Sequence, residues 1–357
     1  MKRIGILTSG GDCQALNAAM RGVVKGLSNN VDELEIYGFY DGYKGLIYGK
    51  YRLLTSNDFS GILTKGGTIL GSSRQPFKLM RVPDENGVDK VEAMKSTYYK
   101  LNLECLVILG GNGTQKTANL LREEGLNIIH LPKTIDNDIY GTDITFGFQS
   151  AINIATTAID LIHTTAASHN RVFIVEIMGH KVGWLALHAG IAAGADIILL
   201  PEIPYDTEKV VEAINRRTTA GKGFTILAVA EGAISQEDAK LGKKEYKKKL
   251  EKSPYPSVSY EIAAKVSELA GREVRVAVPG HTQRGGSPCP FDRSLCSRLG
   301  AEAARAILDK DYGHMIGLVD GNTKRVPLEE VAGKLKAVDP DAPIVREAKM
   351  IGISFGD

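Results

Sequence analysis

Cysteine pairs at metal spacing are missing from this sequence. Its four cysteines, Cys13, Cys105, Cys289 and Cys296, form no C-x-x-C motif, and its seven histidines form no cluster with ligand spacing. A zinc ribbon, a dithiol redox site and a disulfide scaffold are disfavoured. Reduced thiols and a cytoplasmic location are expected. An excess of one charge is lacking as well. Lys plus Arg number 44 against 42 Asp plus Glu, a net charge of +2, so no global field draws the chain to nucleic acid or membrane. The lysine-rich stretch 243–252 reads as a solvated helix face. No apolar run is long enough to span a bilayer, and residues 3–7 read as a strand rather than a cleavable leader. Internal repeats and low-complexity linkers are absent.

What is present is the composition of a globular protein, 43% hydrophobic and 24% charged over 357 residues. That length suffices for two domains. Short apolar runs at 3–7, 35–40, 104–109, 127–131, 171–177, 197–200, 224–230 and 273–278 read as strands. Helical patterns lie between them at 16–27, 114–124, 149–164, 183–193 and 207–220. The strands are near-continuously apolar, as expected where helices cover both faces of a parallel sheet. The fold class is therefore α/β. The strands are too many for one sheet, so two Rossmann-like lobes with mainly parallel sheets and a cleft between them are expected. Candidate breaks lie at 145–149 and at the prolines within 252–256. These place 1–146 with about 257–308 in one lobe, and about 147–256 with 309–357 in the other.

Three turns carry chemistry. Strand 127–131 runs into Pro132-Lys133-Thr134-Ile135-Asp136-Asn137-Asp138. Two carboxylates, a lysine and a hydroxyl at a strand end can deprotonate an alcohol while holding a phosphate and a cation; a merely polar turn is the alternative. The glycine turns Gly10-Gly11-Asp12 and Gly110-Gly111-Asn112-Gly113-Thr114 each lie between a strand and a helix. Glycine there lets a phosphate approach backbone N–H groups, and Thr114 is expected to cap its helix. Neither turn fits a P-loop or a dinucleotide fingerprint. The stretch 65–74 adds further glycines, hydroxyls and Arg74. Downstream, Arg171, Met178-Gly179-His180, Arg275 and His281-Thr282-Gln283-Arg284 supply planar cations beside glycines, the makings of an anion pocket. Taken singly, Arg171 and Arg275 could be ordinary surface cations. Glu231, at the end of an apolar strand, can accept from sugar hydroxyls or cap a helix.

In order and spacing, Gly10-Gly11-Asp12, Gly111-Asn112-Gly113-Thr114, Thr134-Ile135-Asp136-Asn137-Asp138, Met178-Gly179, Pro201-Glu202 and the run from His281 to Gly286 resemble 6-phosphofructokinases over about the first 300 residues. The resemblance implies phosphoryl transfer to the 1-hydroxyl of fructose 6-phosphate with Mg²⁺. It also implies a homo-oligomer, dimer or tetramer, whose neighbouring subunit completes the sugar-phosphate site. It makes the first lobe the donor lobe and the second the sugar-phosphate lobe. Asp136 becomes the base, with Thr134, Lys133 and Asp138 beside it. Gly11, Arg74, Gly111, Asn112, Gly113 and Thr114 line the donor site. Arg171, Met178, Gly179, His180, Glu231, Arg275, His281 and Arg284 hold the sugar phosphate together with Thr134 and Asp136. Arg171 and Arg275 come from the adjoining subunit.

Three positions depart from the family pattern. Asn112 stands where a metal-binding Asp is usual, leaving an amide oxygen, with Asp138 or Asp12 as replacement ligands. Gly113 leaves room for the α-phosphate of ATP, where pyrophosphate users commonly carry Asp, yet Lys133 is the residue those users carry. An obstructing acid excludes ATP and a helpful lysine excludes nothing, so ATP is the expected donor and pyrophosphate the alternative. Lys25 and His163 replace arginines of the regulatory pocket, which speaks against control by ADP or phosphoenolpyruvate. A non-catalytic sugar-phosphate-binding subunit is the reading from another class, and Asn112 motivates it. Residues after about Asp339 show no interpretable pattern.

Overall fold

Runs without charged side chains become strands buried on both faces: Cys105–Gly110 and Thr225–Ala230 are buried at every residue. The computed structural model describes residues 1–357. Its strands are β1 (Lys2–Ser9), β2 (Leu34–Phe39), β3 (Tyr51–Leu54), β4 (Cys105–Gly110), β5 (Ile128–Thr134), β6 (Phe146–Gly147), β7 (Val172–Ile177), β8 (Ile197–Leu199), β9 (Thr225–Ala230), β10 (Val274–Ala277), β11 (His314–Val319) and β12 (Asn322–Pro327). Each expected strand and helix is found within a few residues of its sequence position, and the helix expected to end at 164 runs on, spanning Phe148–His169.

The chain divides into two compact units, Met1–Ser150 with Arg284–Lys336 and Ala151–Gln283 with Ala337–Asp357. The first holds the sheet β12-β11-β5-β4-β1-β2-β3, with β6 on the far end of β5. Only β2–β3 and β11–β12 are antiparallel there. The second holds β10-β7-β9-β8, parallel throughout. Mainly parallel α/β sheets are thus what the apolar runs build.

The later crossings between units differ from those expected at 256 and 308. β10 pairs with β7, which keeps 257–283 in the second unit. β11 pairs with β5 and carries β12 with it, which puts 309–336 in the first. Pro254 and Pro256 mark no unit boundary; they precede the helix Val258–Ala270 inside the second unit. The lysine-rich stretch is a helix, Lys243–Lys252, with no buried residue.

Helices Leu16–Ser28 and Pro290–Leu308 cross at glycine. A Cβ on Gly300 would lie 2.5 Å from the Gly22 carbonyl carbon, so only glycine permits this approach. The last residues also have a place. A helix spans Pro343–Met350, and the Ser354 carbonyl accepts from Ile198 N at 2.9 Å beside β8. That interaction depends on a partner over 150 residues away, which local periodicity cannot announce. No helix is long and apolar enough to cross a membrane.

Candidate active site

In the first unit the reactive turns follow the C-terminal ends of three adjacent parallel strands, β5, β4 and β1. This is where open α/β sheets expose backbone and side chains to ligands. A Cβ on Gly10 would stand 3.5 Å from Thr114 Oγ1 and 3.6 Å from Lys133 Nζ, so all three turns converge at one point. The stretch 65–74 joins them: Gly10 N donates to Ser73 O at 3.0 Å, and Ser72 Oγ donates to Gly10 O at 2.6 Å. Buried Asn17 fixes that stretch from below, donating to the Lys65 carbonyl and accepting from Ile69 N. Arg74 is exposed one residue beyond Ser73.

The helix Asn112–Glu123 starts at Gly111, with no side chain capping its N-terminus. Thr114 is therefore not the cap. It is buried in the first turn, against Gly110, where any Cβ would stand 2.2 Å from its methyl group. The first N–H groups of this helix are left free of side-chain caps, and the helix dipole favours an anion there. A Cβ on Gly113 would meet nothing within 4 Å. The Asn112 amide nitrogen donates to Lys334 O at 3.0 Å. A carboxylate at 112 has no hydrogen to donate to that carbonyl.

Lys133 is buried, and its ammonium donates to the Gly11 carbonyl. Burial lowers its pKa; the nearby charges of Asp136 and Asp12 oppose that shift. The same ammonium thus faces the carboxylate proposed as base and the first glycine turn. Asp136 N donates to Thr134 Oγ1 at 3.1 Å, which bends the chain back toward the strand end. Asn137 sits in the left-handed region at φ 55°, and its Oδ1 accepts from Thr145 N at 3.0 Å. Asp138 is largely buried. Arg284 donates to Asp12 O at 2.9 Å, and its guanidinium lies 3.0 Å from the place of a Cβ on Gly11. Grouped by sequence with the sugar-phosphate residues, it lies in this unit beside the glycine turn.

The second unit repeats the design. Met178, Gly179 and His180 follow β7, Glu231 follows β9, and residues 280–283 of the turn after β10 close this unit, the next residue, Arg284, belonging to the first. Glu231 accepts from Gly179 N at 3.3 Å. It caps no helix, since the next one starts at Gln236 behind Ser235. Buried Gln283 accepts from Met178 N at 3.1 Å and so ties two of these turns. His180 and His281 are exposed. Gly232 permits close packing of the β9 end, because a Cβ there would lie 2.0 Å from His180 O.

Arg171 and Arg275 do not join that group. Arg171 precedes β7, and Arg275 pairs with Phe173 near its start. Both lie toward the N-terminal end, while Met178 and Gly179 follow the C-terminal end. Six residues of strand at about 3.3 Å each separate the ends by roughly 20 Å. Glu273 holds both arginines, bonding Arg171 Nε at 2.7 Å and also the Arg275 guanidinium.

The sequence names Gln283 within a motif but assigns it no role, and it does not single out Lys336 at all. The Lys336 ammonium donates to Asn137 Oδ1 at 2.9 Å, Thr142 O at 2.8 Å and Asp143 O at 2.9 Å. No motif flags a lysine so distant from the turn it serves.

No group of three or more His, Cys, Asp or Glu forms a cage for a metal ion. Asp12, Asp136, Asp138 and the Asn112 amide oxygen, which follow these strand ends, are hard oxygen donors of the kind that bind a divalent cation through one or two carboxylates together with phosphates.

Known proteins resemble this chain closely. The family described as Phosphofructokinase matches residues 3–307. A protein of Spirochaeta thermophila called ATP-dependent 6-phosphofructokinase is 54% identical, over 100% of this chain and 98% of its own. ATP-dependent 6-phosphofructokinase 3 of Bacteroides thetaiotaomicron is 45% identical, over 99% of this chain and 100% of its own. Among solved structures, the Pichia pastoris phosphofructokinase in the T-state superposes with a TM-score of 0.80 at 33% identity, over 93% of this chain and 35% of that one. A pyrophosphate-dependent phosphofructokinase of Marinobacter aquaeolei has TM-score 0.80 at 22% identity, over 97% of this chain and 88% of its own, a likeness of fold alone.

Proposed function

The chain belongs to the phosphofructokinase family, and on that premise we propose which of its residues carry the reaction. It is a glycolytic phosphotransferase that phosphorylates fructose 6-phosphate with ATP, the activity in the names of its full-length relatives. The pyrophosphate alternative has a fold likeness and Lys133 behind it, whereas the full-length relatives are named for ATP and open space at Gly113 accommodates the longer donor.

Phosphoryl transfer asks for alignment, charge neutralisation and one placed base. Asp136 takes the proton from the 1-hydroxyl of the sugar. Thr134, bonded to the Asp136 backbone, sets the direction of that carboxylate. Lys133 neutralises the transferring phosphoryl group. The N-terminus of the helix Asn112–Glu123 receives donor phosphates at the N–H groups of Asn112, Gly113 and Thr114, with Gly11, Gly111, Arg74 and Arg284 around them. A Mg²⁺ ion arriving with ATP would be held by Asp138 and the Asn112 oxygen, and would supply charge neutralisation between the phosphates.

The second unit binds the acceptor. Glu231 accepts from sugar hydroxyls beside the Met178–His180 turn, and His281 contributes from the turn after β10. Arg171 and Arg275 serve the sugar-phosphate site of an adjoining subunit in a homo-oligomer, because in their own chain a strand's length separates them from Gly179. A cytoplasmic location fits a glycolytic enzyme whose four cysteines are free thiols.

The observation that carries this reading is the bond from Lys133 to the Gly11 carbonyl, within the charges of Asp136 and Asp12, at the ends of β5 and β1 on either side of β4. Asp136→Asn tests it. Turnover should fall by roughly a thousandfold with substrate KM values little changed. Near-normal turnover in that variant removes Asp136 as the base.

A further inference from the structure

We infer that Lys336 is a positioning residue for the Asp136 turn, a role that rests on Asp136 acting as the base. The turn between β5 and β6, residues 135–145, contains no helix and no strand beyond a single bridge, Ile139 with Leu335. Something other than a ladder must fix its backbone. Three ammonium donors on Lys336 meet three acceptors of that turn: Asn137 Oδ1 at 2.9 Å, Thr142 O at 2.8 Å and Asp143 O at 2.9 Å. The backbone of the same residue donates to Asp138 O at 3.0 Å. One residue thus grips the chain at Asn137 and at three positions after it, Asp138, Thr142 and Asp143.

Asn137 is where the grip matters most. Its φ of 55° is costly for a residue with a Cβ, although asparagine tolerates it better than most. Its Oδ1 is shared between Thr145 N at 3.0 Å and the lysine. Thr145 Oγ1 in turn donates to Thr134 O at 2.8 Å, the last residue of β5. Lys336, Asn137, Thr145 and Thr134 form a continuous chain of bonds beneath the one residue, Asp136, whose direction decides proton transfer. The half-buried ammonium has well-placed partners, so it specifies geometry instead of merely tolerating it.

Four variants of the full chain test the inference: Lys336→Met, Lys336→Arg, Asn137→Gly and the double variant Lys336→Met with Asn137→Gly. Steady-state kcat and both KM values are measured, with thermal midpoints, alongside Asp136→Asn. Lys336→Met should lower kcat by about 100-fold and leave both KM values within about threefold. Lys336→Arg should recover part of kcat. The double variant should be no slower than the worse single variant, because both remove the same constraint. A Lys336→Met protein with kcat within about twofold of the parent overturns the inference, and so do kcat losses that multiply in the double variant. If Lys336→Met does not fold, Asn137→Gly decides: unchanged turnover in a folded protein overturns the role. Normal turnover in Asp136→Asn removes the base assignment itself, whereas normal turnover in Lys336→Met beside an inactive Asp136→Asn removes only the positioning role.

Discussion

The Lys133 ammonium donates to the Gly11 carbonyl, which ties the end of β5 to the turn after β1. That bond fixes a buried cation within the field of Asp136 and Asp12. Burial lowers its pKa and the Arg284 charge adds to that, while Cys13, Asp136 and Asp12 oppose the fall. Lys133→Met keeps the volume and removes the charge. Turnover should fall by about 100-fold, with the fructose 6-phosphate KM nearly unchanged, because the charge is needed most where phosphoryl charge develops. Steady-state kinetics with both substrates checks this. A variant losing affinity but keeping turnover would make Lys133 a ground-state ligand only.

Gly113 is sterically free within the chain, since a Cβ there meets nothing within 4 Å and its φ is not positive. Gly113→Asp therefore should not disturb folding, and any effect reports on the ligand. A carboxylate about 4 Å from a phosphate costs about 4 kcal/mol at an effective dielectric of 20. Solvent at this exposed site reduces that, so kcat/KM for ATP should fall roughly 100-fold at an unchanged melting temperature. Unaltered ATP kinetics would show that the nucleotide runs elsewhere.

Much of this was legible because its cause is local. Apolar runs bounded by glycine announce parallel strands, and turns at their C-terminal ends announce where the candidate residues gather. Gly110 to Thr114 and Pro132 to Asp138 are read directly in this way. Residues acting across long separations are not legible. Lys336 meets Asn137 199 positions away, and Gln283 meets Met178 105 positions away. Nothing near Lys336 distinguishes it from a surface lysine, and the motif around Gln283 does not tell that its side chain reaches Met178. The same holds for 257–283 and 309–336, whose unit is decided by the pairing of β10 with β7 and of β11 with β5. Arg171 and Arg275 show the opposite case, where sequence proximity to strands is visible but the strand end they occupy needs the fold.

His130 lies fully buried on β5, and burial pushes its pKa down to about 3, with the charge of Lys133 adding to the fall. The ordinary value is near 6.5. A depressed folded-state pKa means that the unfolded chain binds the proton first. Stability from keeping this ring neutral is therefore complete above about pH 6.5 and is lost as pH falls toward 3. The loss approaches about 1.4 kcal/mol per pH unit. Denaturant unfolding of the parent and of His130→Gln between pH 7.5 and 5 checks this: the parent should lose stability more steeply. Parallel pH curves would mean that another group governs acid sensitivity.

Arg171 and Glu231 occupy opposite ends of the second unit's sheet, one before β7 and the other after β9, which runs parallel to it. If both contact one sugar phosphate, they must come from different chains. Glu273, which bonds both Arg171 and Arg275, then serves to hold the pair in position for the neighbour. Arg171→Ala and Glu231→Ala should each be nearly inactive as pure oligomers. After the two are dissociated together and reassembled, some sites receive Arg171 from one chain and Glu231 from the other. Activity should return in the mixture and in neither protein treated alone. Complementation of this kind cannot arise if both residues act within one chain, because every site would then keep one of the two lesions. A mixture that forms hybrids, verified by mass on a tagged chain, yet stays inactive would assign Arg171 a different task, that of an ordinary surface cation paired with Glu273.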